Sequence, residues 1–354
     1  NTVTLFMVGS VVLAAALVGF VDPIVRLIST PEEAVAGTTA YLTICFIGIP
    51  CITAYNVLAS IFRGMGDSRS PMYFIAAACV VNIGLDFFFM GALRLGPAGA
   101  ALGTTLSQAV SVLLALCVIL KRKSIRLSKS DFRPRKATMK DILSIGLPVA
   151  AQDGFIQVSF MLITIMANQR GLTDAAAVGI VEKIISFLFL VPSSMLSTVS
   201  ALGAQNIGAG KYDRTDDILR YAIAIGVGFG AVMALLMQFI APGVVQPFTS
   251  DEAVVLAGAA YIRSYIFDCL FAGIQFSFSG YFCAWGKSGL SFLHNTLSIL
   301  LVRVPGAWLA CRFFPQTLVP MGLAPACGSL FSSIVCVLLY RHLKRQDKAA
   351  KRRD

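Results

Sequence analysis

Ten apolar runs, each long enough to cross a lipid bilayer as a helix, dominate this sequence. Crossing about 30 Å of hydrocarbon takes about 20 helical residues. Only helices and closed barrels satisfy the backbone in lipid, and these runs do not alternate with period two. We therefore predict an all-α, polytopic membrane protein with about ten transmembrane helices. The predicted spans are residues 3–21, 36–62, 71–92, 97–120, 141–168, 174–203, 216–240, 253–284, 289–311 and 318–340.

The composition excludes a water-soluble domain. Of the 354 residues, 57% are hydrophobic and 13% are charged, whereas soluble proteins carry about 25% charged residues. The mean hydropathy is +0.79. The nine cysteines form no CxxC pair and there are two histidines, so we expect neither a zinc site nor a disulfide framework. No cofactor is indicated by these residues.

The basic residues indicate how the chain is oriented. The net charge of +11 comes from Lys and Arg clustered in short segments between the apolar runs, a pattern that sets membrane topology and does not indicate a nucleic-acid partner. Most of them lie on the side of the N-terminus, above all in 121–140 and 341–354. We therefore predict a multi-pass protein of the cell (inner) membrane, with the linker and C-terminus cytoplasmic. The opposite side has only Arg26, Arg94, Arg170 and Arg312.

The two halves of the chain resemble each other. Residues 29–42 align with 249–262, and at the same separation residues 60–68 align with 280–288. The first four spans then match the last four, and the two spans between 141 and about 215 have no partner. We expect a parent of two six-helix halves with about 80 further residues upstream, an arrangement found in secondary transporters. The predicted divisions are an N-lobe at 1–120, a basic linker at 121–140, a C-lobe at 141–340 and a basic tail at 341–354.

Three segments resemble the multidrug and toxic compound extrusion (MATE) family. They are RGMGDSRSP (63–71), IGLPVAAQ (145–152) and AQNIGAGKYDR (204–214). In that register the chain starts at the family's third helix. The resemblance implies twelve helices in two lobes around a cavity, and export of organic, often cationic or amphipathic compounds in exchange for Na⁺ or H⁺. The partners would be a small organic substrate and the lipid bilayer, and we expect a monomer.

Asp86 is the leading candidate for an ion site. Asn82 precedes it by four residues, so both side chains share one helix face. A carboxylate and an amide oxygen suit Na⁺, and the carboxylate could instead hold a proton if burial disfavours its charged form. Asp86 could also be a hydrated residue near the end of its span. Asn82, Asp86 and Thr104 match, by type and spacing, the cation-binding network that the resemblance implies.

Further polar residues inside the predicted spans are candidates for lining a cavity. Asp153 and Gln157 share a face of span five and could line a cavity or bond between helices. Lys183 could meet Asp153, or Glu182 could meet another helix. The full set of candidates is Gln152, Asp153, Gln157, Glu182, Lys183, Asp268 and Arg303.

Arg303 has two possible roles. It precedes Val304-Pro305, so it could bind a carbonyl freed by the proline or line the cavity. The number of cations in the cavity helps to distinguish export of organic compounds from the alternative functions. A flippase for lipid-linked saccharides would favour several cavity arginines, and only Arg303 and Lys183 qualify. A membrane-embedded enzyme is a third reading, but the sequence has no HExxH and no Gly-x-Ser-x-Gly motif, so we do not expect an enzyme.

Overall fold

The computed structural model describes residues 1–27, 32–121 and 133–350, and these residues form helices with no strand. The described residues contain ten helical segments long and apolar enough to span a membrane, which confirms the predicted fold class. The helices are α1 Thr2–Gly19, α2 Val21–Leu27, α3 Glu32–Gly64, α4 Arg69–Asp86, α5 Gly96–Lys121, α6 Lys136–Asn168, α7 Leu172–Leu188, α8 Leu190–Gly208, α9 Tyr212–Val245, α10 Glu252–Tyr265, α11 Phe267–Ala284, α12 Ser288–Ser298, α13 Val304–Phe313 and α14 Val319–Ala350.

Several helices extend beyond the predicted apolar runs. Helix α6 begins at Lys136, within the segment predicted as a linker, and α14 continues to Ala350, within the predicted tail. Polar residues can form helical turns at the membrane surface, where hydropathy no longer marks them. The central part of the predicted linker, residues 122–132, lies outside the described residues.

Two short π-helical segments interrupt the regular helices. One, Phe87–Ala92, follows α4 directly, and the other, Ile299–Arg303, joins α12 to α13. The second ends two residues before Pro305, which has no N–H for the helical pattern. π-Bulges are frequent at functional sites, and both segments here adjoin a residue that the sequence singles out, Asp86 or Arg303.

The chain divides into two compact units, Asn1–Ile142 and Leu143–Asp354. In the first unit, α5 packs against α3 and α4, and α1 packs against α3. The edge-on ring pair Phe62 and Phe74 belongs to its core. In the second unit, α11 is central and packs against α8, α9 and α14.

Small and polar residues hold α11 against its neighbours. A Cβ added at Gly226 of α9 would lie 2.8 Å from the Cα of Gly273 in α11, so the two backbones touch there. His294 of α12 is buried and bonds Ser279 of α11 at 3.0 Å and Ser332 of α14 at 2.7 Å. Close backbone approach and buried hydrogen bonds are the contacts that associate helices in lipid, where apolar burial gives no preference.

The outside of the structure is apolar. Large hydrophobic side chains on α4, α5, α7 and α9 are exposed, including Val80, Leu120, Phe187 and Phe239, each at more than two thirds. Exposed apolar side chains of this size and number, present in both units, suit lipid and do not suit water. The chain is therefore a multi-pass membrane protein.

Candidate functional site

Asp86 and Asn82 meet at the C-terminal end of α4. The Asn82 amide nitrogen donates a hydrogen bond of 3.4 Å to Oδ1 of Asp86. Both side chains are half-buried. The spacing of four residues brings the carboxylate and the amide together on one face, as the sequence predicts.

Gly103 of α5 closes this face from the neighbouring helix. A Cβ added at Gly103 would collide with Oδ1 of Asp86 and lie 3.4 Å from Nδ2 of Asn82. The absent side chain leaves the room that the carboxylate occupies. Gly103 therefore positions Asp86, although it offers no side-chain ligand.

Thr104 lies beside this contact but does not join it. Its side chain is exposed, and within the described part of the chain its hydroxyl bonds neither Asp86 nor Asn82. Its carbonyl accepts a hydrogen bond of 2.8 Å from the Ser107 hydroxyl. An open groove of about 350 Å³ runs past Asp86 along α4 and the π-helical turn after it, and the surface that lines it is apolar.

Replacing Gly103 with Ala should damage this arrangement. The added methyl group would displace the Asp86 carboxylate or separate α5 from α4, and overpacking of this kind costs about 1–3 kcal/mol. Thermal unfolding in detergent should show the loss. The matched control is Gly84→Ala on α4, where an added Cβ meets nothing within 4 Å. Equal stability of the two variants would contradict the assigned role.

A second polar cluster lies inside the Leu143–Asp354 unit, around Arg303. Its Nη2 donates a hydrogen bond of 2.8 Å to the Tyr265 hydroxyl, and its guanidinium lies over the Phe160 ring, 4.7 Å from the centroid. The side chain is buried, with the residue 7% exposed, and Nε has no hydrogen-bond partner among the described residues. The two predicted roles were binding a backbone carbonyl freed by Pro305 and lining a cavity. The described contacts of the guanidinium are with the Tyr265 and Phe160 side chains and not with a carbonyl.

Two carboxylates interact electrostatically with this cation. Asp268 is fully buried beside Ser329, and neither of its oxygens has a hydrogen bond of good geometry within the described structure. Glu182 accepts a hydrogen bond of 3.1 Å from Thr164 and also interacts with Arg303. We call Arg303, Asp268 and Glu182 the buried charge cluster. Burial of charges is costly unless they neutralise one another. Arg303 attracts both acids and offsets part of that cost, although no close ion pair joins it to either of them among the described residues.

The other predicted cavity residues are placed separately. Gln152 is buried, and its Oε1 accepts a hydrogen bond of 2.6 Å from Ser291 of α12, so it joins two helices. Asp153, Gln157 and Lys183 are exposed. In the described residues no ion pair joins Lys183 to Asp153. Glu182 meets another helix instead, through Thr164 of α6.

The MatE family model matches residues 1–88 and 148–309, which is most of the chain. The chain belongs to the MatE family. Members of this family are transporters and not enzymes. The resemblance of the three sequence segments to the multidrug and toxic compound extrusion family is thereby confirmed.

The bacterial relatives include a probable multidrug resistance protein and a multidrug export protein. The chain is 29% identical over 319 residues to the probable multidrug resistance protein YpnP of Bacillus subtilis, covering 90% of this chain and 71% of that protein. It is 26% identical over 273 residues to the multidrug export protein MepA of Staphylococcus aureus, covering 76% of this chain and 59% of that protein. The chain therefore spans less than two thirds of the length of MepA.

Solved structures of two membrane transporters share the fold. A mutant of the Vibrio cholerae MATE transporter VcmN superposes with a TM-score of 0.91 at 19% identity, over 97% of this chain and 78% of that one. A MOP superfamily transporter from Pyrococcus furiosus superposes with a TM-score of 0.89 at 23% identity, over 96% and 76%. At these identities the likeness concerns the fold alone.

Sequence reasoning missed Gly103 at the first site and the two aromatic partners of Arg303 at the second. Gly103 has no polar group, and only its place opposite Asp86 makes it important. Tyr265 and Phe160, which contact Arg303, come from distant segments. The sequence did contain one signal for Tyr265. It lies three residues before Asp268, a spacing that places two side chains on the same face of a helix.

Proposed function

We propose that the protein exports small organic compounds, cationic or amphipathic, in exchange for Na⁺ or H⁺, and that Asp86 binds the coupling ion. The observation that carries this proposal is the contact of the Asp86 carboxylate with Asn82 in α4 and with Gly103 in α5. Export of organic compounds is supported by membership of the MatE family and by the named relatives, a multidrug export protein among them.

The chemistry of the Asp86 pair fits either ion. Na⁺ is bound by oxygen atoms, and the carboxylate and the amide oxygen of Asn82 lie on the same helix face. A proton needs mainly the carboxylate. Placing an acidic side chain in a membrane-spanning helix costs free energy, and such residues commonly mark ion or substrate pathways. Thr104 stays a predicted member of the site, with its hydroxyl exposed one residue from Gly103.

Coupling follows from linkage between ion and substrate. If the ion changes the affinity for substrate in one state of the transporter, substrate must change the affinity for the ion by the same factor. Asp86 adjoins a π-helical turn, where the backbone departs from the regular pattern. An ion bound there can therefore favour one packing of α4 against α5 over another.

The protein expressed from its complete coding sequence and placed in proteoliposomes should accumulate a fluorescent organic cation against that cation's own gradient. An imposed Na⁺ or H⁺ gradient supplies the driving force, and an ionophore that collapses the gradient should stop accumulation. Equilibration without accumulation would indicate a channel and overturn the proposal.

Replacing Asn82 with Leu distinguishes the two ions. A Na⁺-coupled protein should lose the amide oxygen and roughly tenfold or more in apparent Na⁺ affinity, since a buried hydrogen-bonding or ligating group accounts for about 1–3 kcal/mol. A proton-coupled protein should keep most of its transport. The measurement is the initial rate of accumulation against ion concentration, and Na⁺-driven accumulation that Asn82→Leu leaves unchanged would remove Asn82 from the site.

The flippase reading gains no support from the described cations. A pyrophosphate substrate would need arginines that face it, and Arg303 is buried against Tyr265 and Phe160. Lys183 is exposed, and it is the one other cation among the predicted cavity residues. Ion-coupled export therefore remains our proposal.

A further inference from the structure

A groove opens on the surface between α11 and the middle of α14, where the α14 residues that line it run from Ser333 to Arg341. It has a volume of about 300 Å³ and is lined by Ile274 of α11 and by Ser333, Ile334, Val337, Leu338 and Arg341 of α14. We call this the α11–α14 groove. Four of its six lining side chains are aliphatic, and its one charged group lies at one end.

The exposed face of α14 changes character along its length. Leu330, Ile334 and Leu338 are exposed by 41%, 53% and 59%. The next exposed side chains on this face are Arg341, His342 and Arg345. Positions separated by three or four residues lie above one another on a helix, so an apolar stripe ends at two guanidinium groups.

Arg341 is a cation without a carboxylate partner among the described side chains. Of the acidic residues at the start of α9, Asp216 is bound by Lys344 at 2.5 Å and by the Tyr281 hydroxyl at 3.0 Å, and Asp217 pairs with Arg220 at 3.7 Å. The ion pairs of the described residues do not include Arg341. Its charge is therefore available to an anion from outside the chain.

We propose that the α11–α14 groove binds one anionic glycerophospholipid, with an acyl chain along Ile334 and Leu338 and the phosphate at Arg341. Planar guanidinium groups match phosphate oxygens in geometry and charge. The rise from Leu330 to Arg341 is about 16 Å at 1.5 Å per residue, close to half of the bilayer's hydrocarbon thickness of about 30 Å. One lipid leaflet therefore fits the stripe, with its headgroup at the arginines.

The charge pattern selects among membrane lipids. A zwitterionic lipid would fill the apolar part but would gain little from Arg341, because its headgroup has no net charge. An anionic lipid gains about fivefold in affinity for each Arg or Lys near the membrane surface. Free phosphate would gain nothing from the aliphatic walls, so the proposal commits to a lipid. Binding is measured without transport and does not depend on the proposed function.

Native mass spectrometry of the delipidated protein in detergent tests this site. Phosphatidylglycerol should bind at least about fivefold more tightly than phosphatidylcholine, and glycerol phosphate should not compete. Arg341→Gln should remove that preference while leaving phosphatidylcholine binding unchanged. Ile334→Trp should weaken both lipids, because its ring fills the groove while the charge stays. Both positions are exposed, so the variants should fold.

The matched control is Arg220→Gln, which also removes one positive charge from this unit. The Arg220 side chain is 78% exposed and lies outside the groove, so lipid affinity should change by less than about twofold. Equal losses for Arg220→Gln and Arg341→Gln would reduce the effect to general attraction and overturn the proposal. Equal binding of both lipids, or a lipid-free dimer that Ile334→Trp abolishes, would also overturn it.

Discussion

Replacing Arg303 with Met should lower the free energy of unfolding by about 1.5–3 kcal/mol, because it removes a charged hydrogen-bond donor to the Tyr265 hydroxyl. Arg303 is the cation of the buried charge cluster, and without it the buried Asp268 and the half-buried Glu182 lose the positive charge that attracts them. The Met side chain has about the volume of the aliphatic part of Arg303. The loss of stability therefore reflects the missing charge and hydrogen bond more than the creation of a cavity. Denaturant unfolding in detergent micelles, followed by tryptophan fluorescence, measures it.

A second variant separates charge from packing. Adding Asp268→Asn to Arg303→Met removes one of the stranded charges, so the double variant should regain part of the lost stability. The control is Arg312→Met, because Arg312 is exposed and its guanidinium also lies over a ring, Trp308, at 5.7 Å. That change should cost about 1 kcal/mol or less. A double variant less stable than Arg303→Met would show that the cluster is not held by charge.

Replacing Asp86 with Asn should abolish ion-driven export while expression and folding stay near normal. The change keeps the shape of the side chain and removes its negative charge. An amide cannot release a proton at any working pH and binds Na⁺ less strongly than a carboxylate. Export of a fluorescent organic cation from energised cells, at matched protein levels, gives the readout.

The control for Asp86→Asn is the same substitution at Asp22. Asp22 lies in α2, is exposed and is outside the ten candidate membrane spans, so export should be unchanged. If Asp86→Asn exports at the parental rate, the coupling site is elsewhere. Asp268 and Glu182 of the buried charge cluster would then be the next residues to replace.

The ten membrane spans could be predicted because the hydropathy of a single segment is enough to show that it can cross lipid as a helix. Their ends could not, since polar turns such as 136–140 of α6 form helix at the membrane surface without an apolar signature. The π-helical turn at Ile299–Arg303 was indicated only by Pro305, and that after Asp86 had no comparable signal.

The sites show the same limit at the level of single residues. Asn82 and Asp86 lie on one helix, so their spacing alone predicts their contact. Gly103 reaches Asp86 only through the register of α5 against α4, which depends on packing along both helices. Arg303 meets Phe160 and Tyr265 across three separate helices, and single-segment patterns contain no information on such partners.

The most direct test of the central claim is equilibrium ion binding by the purified protein in detergent, without a gradient or a substrate. We expect the parent to bind Na⁺ saturably, detected with radioactive Na⁺, or to take up a proton that an organic cation releases on binding, detected with a pH indicator. Asp86→Asn should lose that signal, and Asp22→Asn should keep it. An Asp86→Asn protein that binds the ion as the parent does would contradict the assignment of Asp86 as the coupling residue.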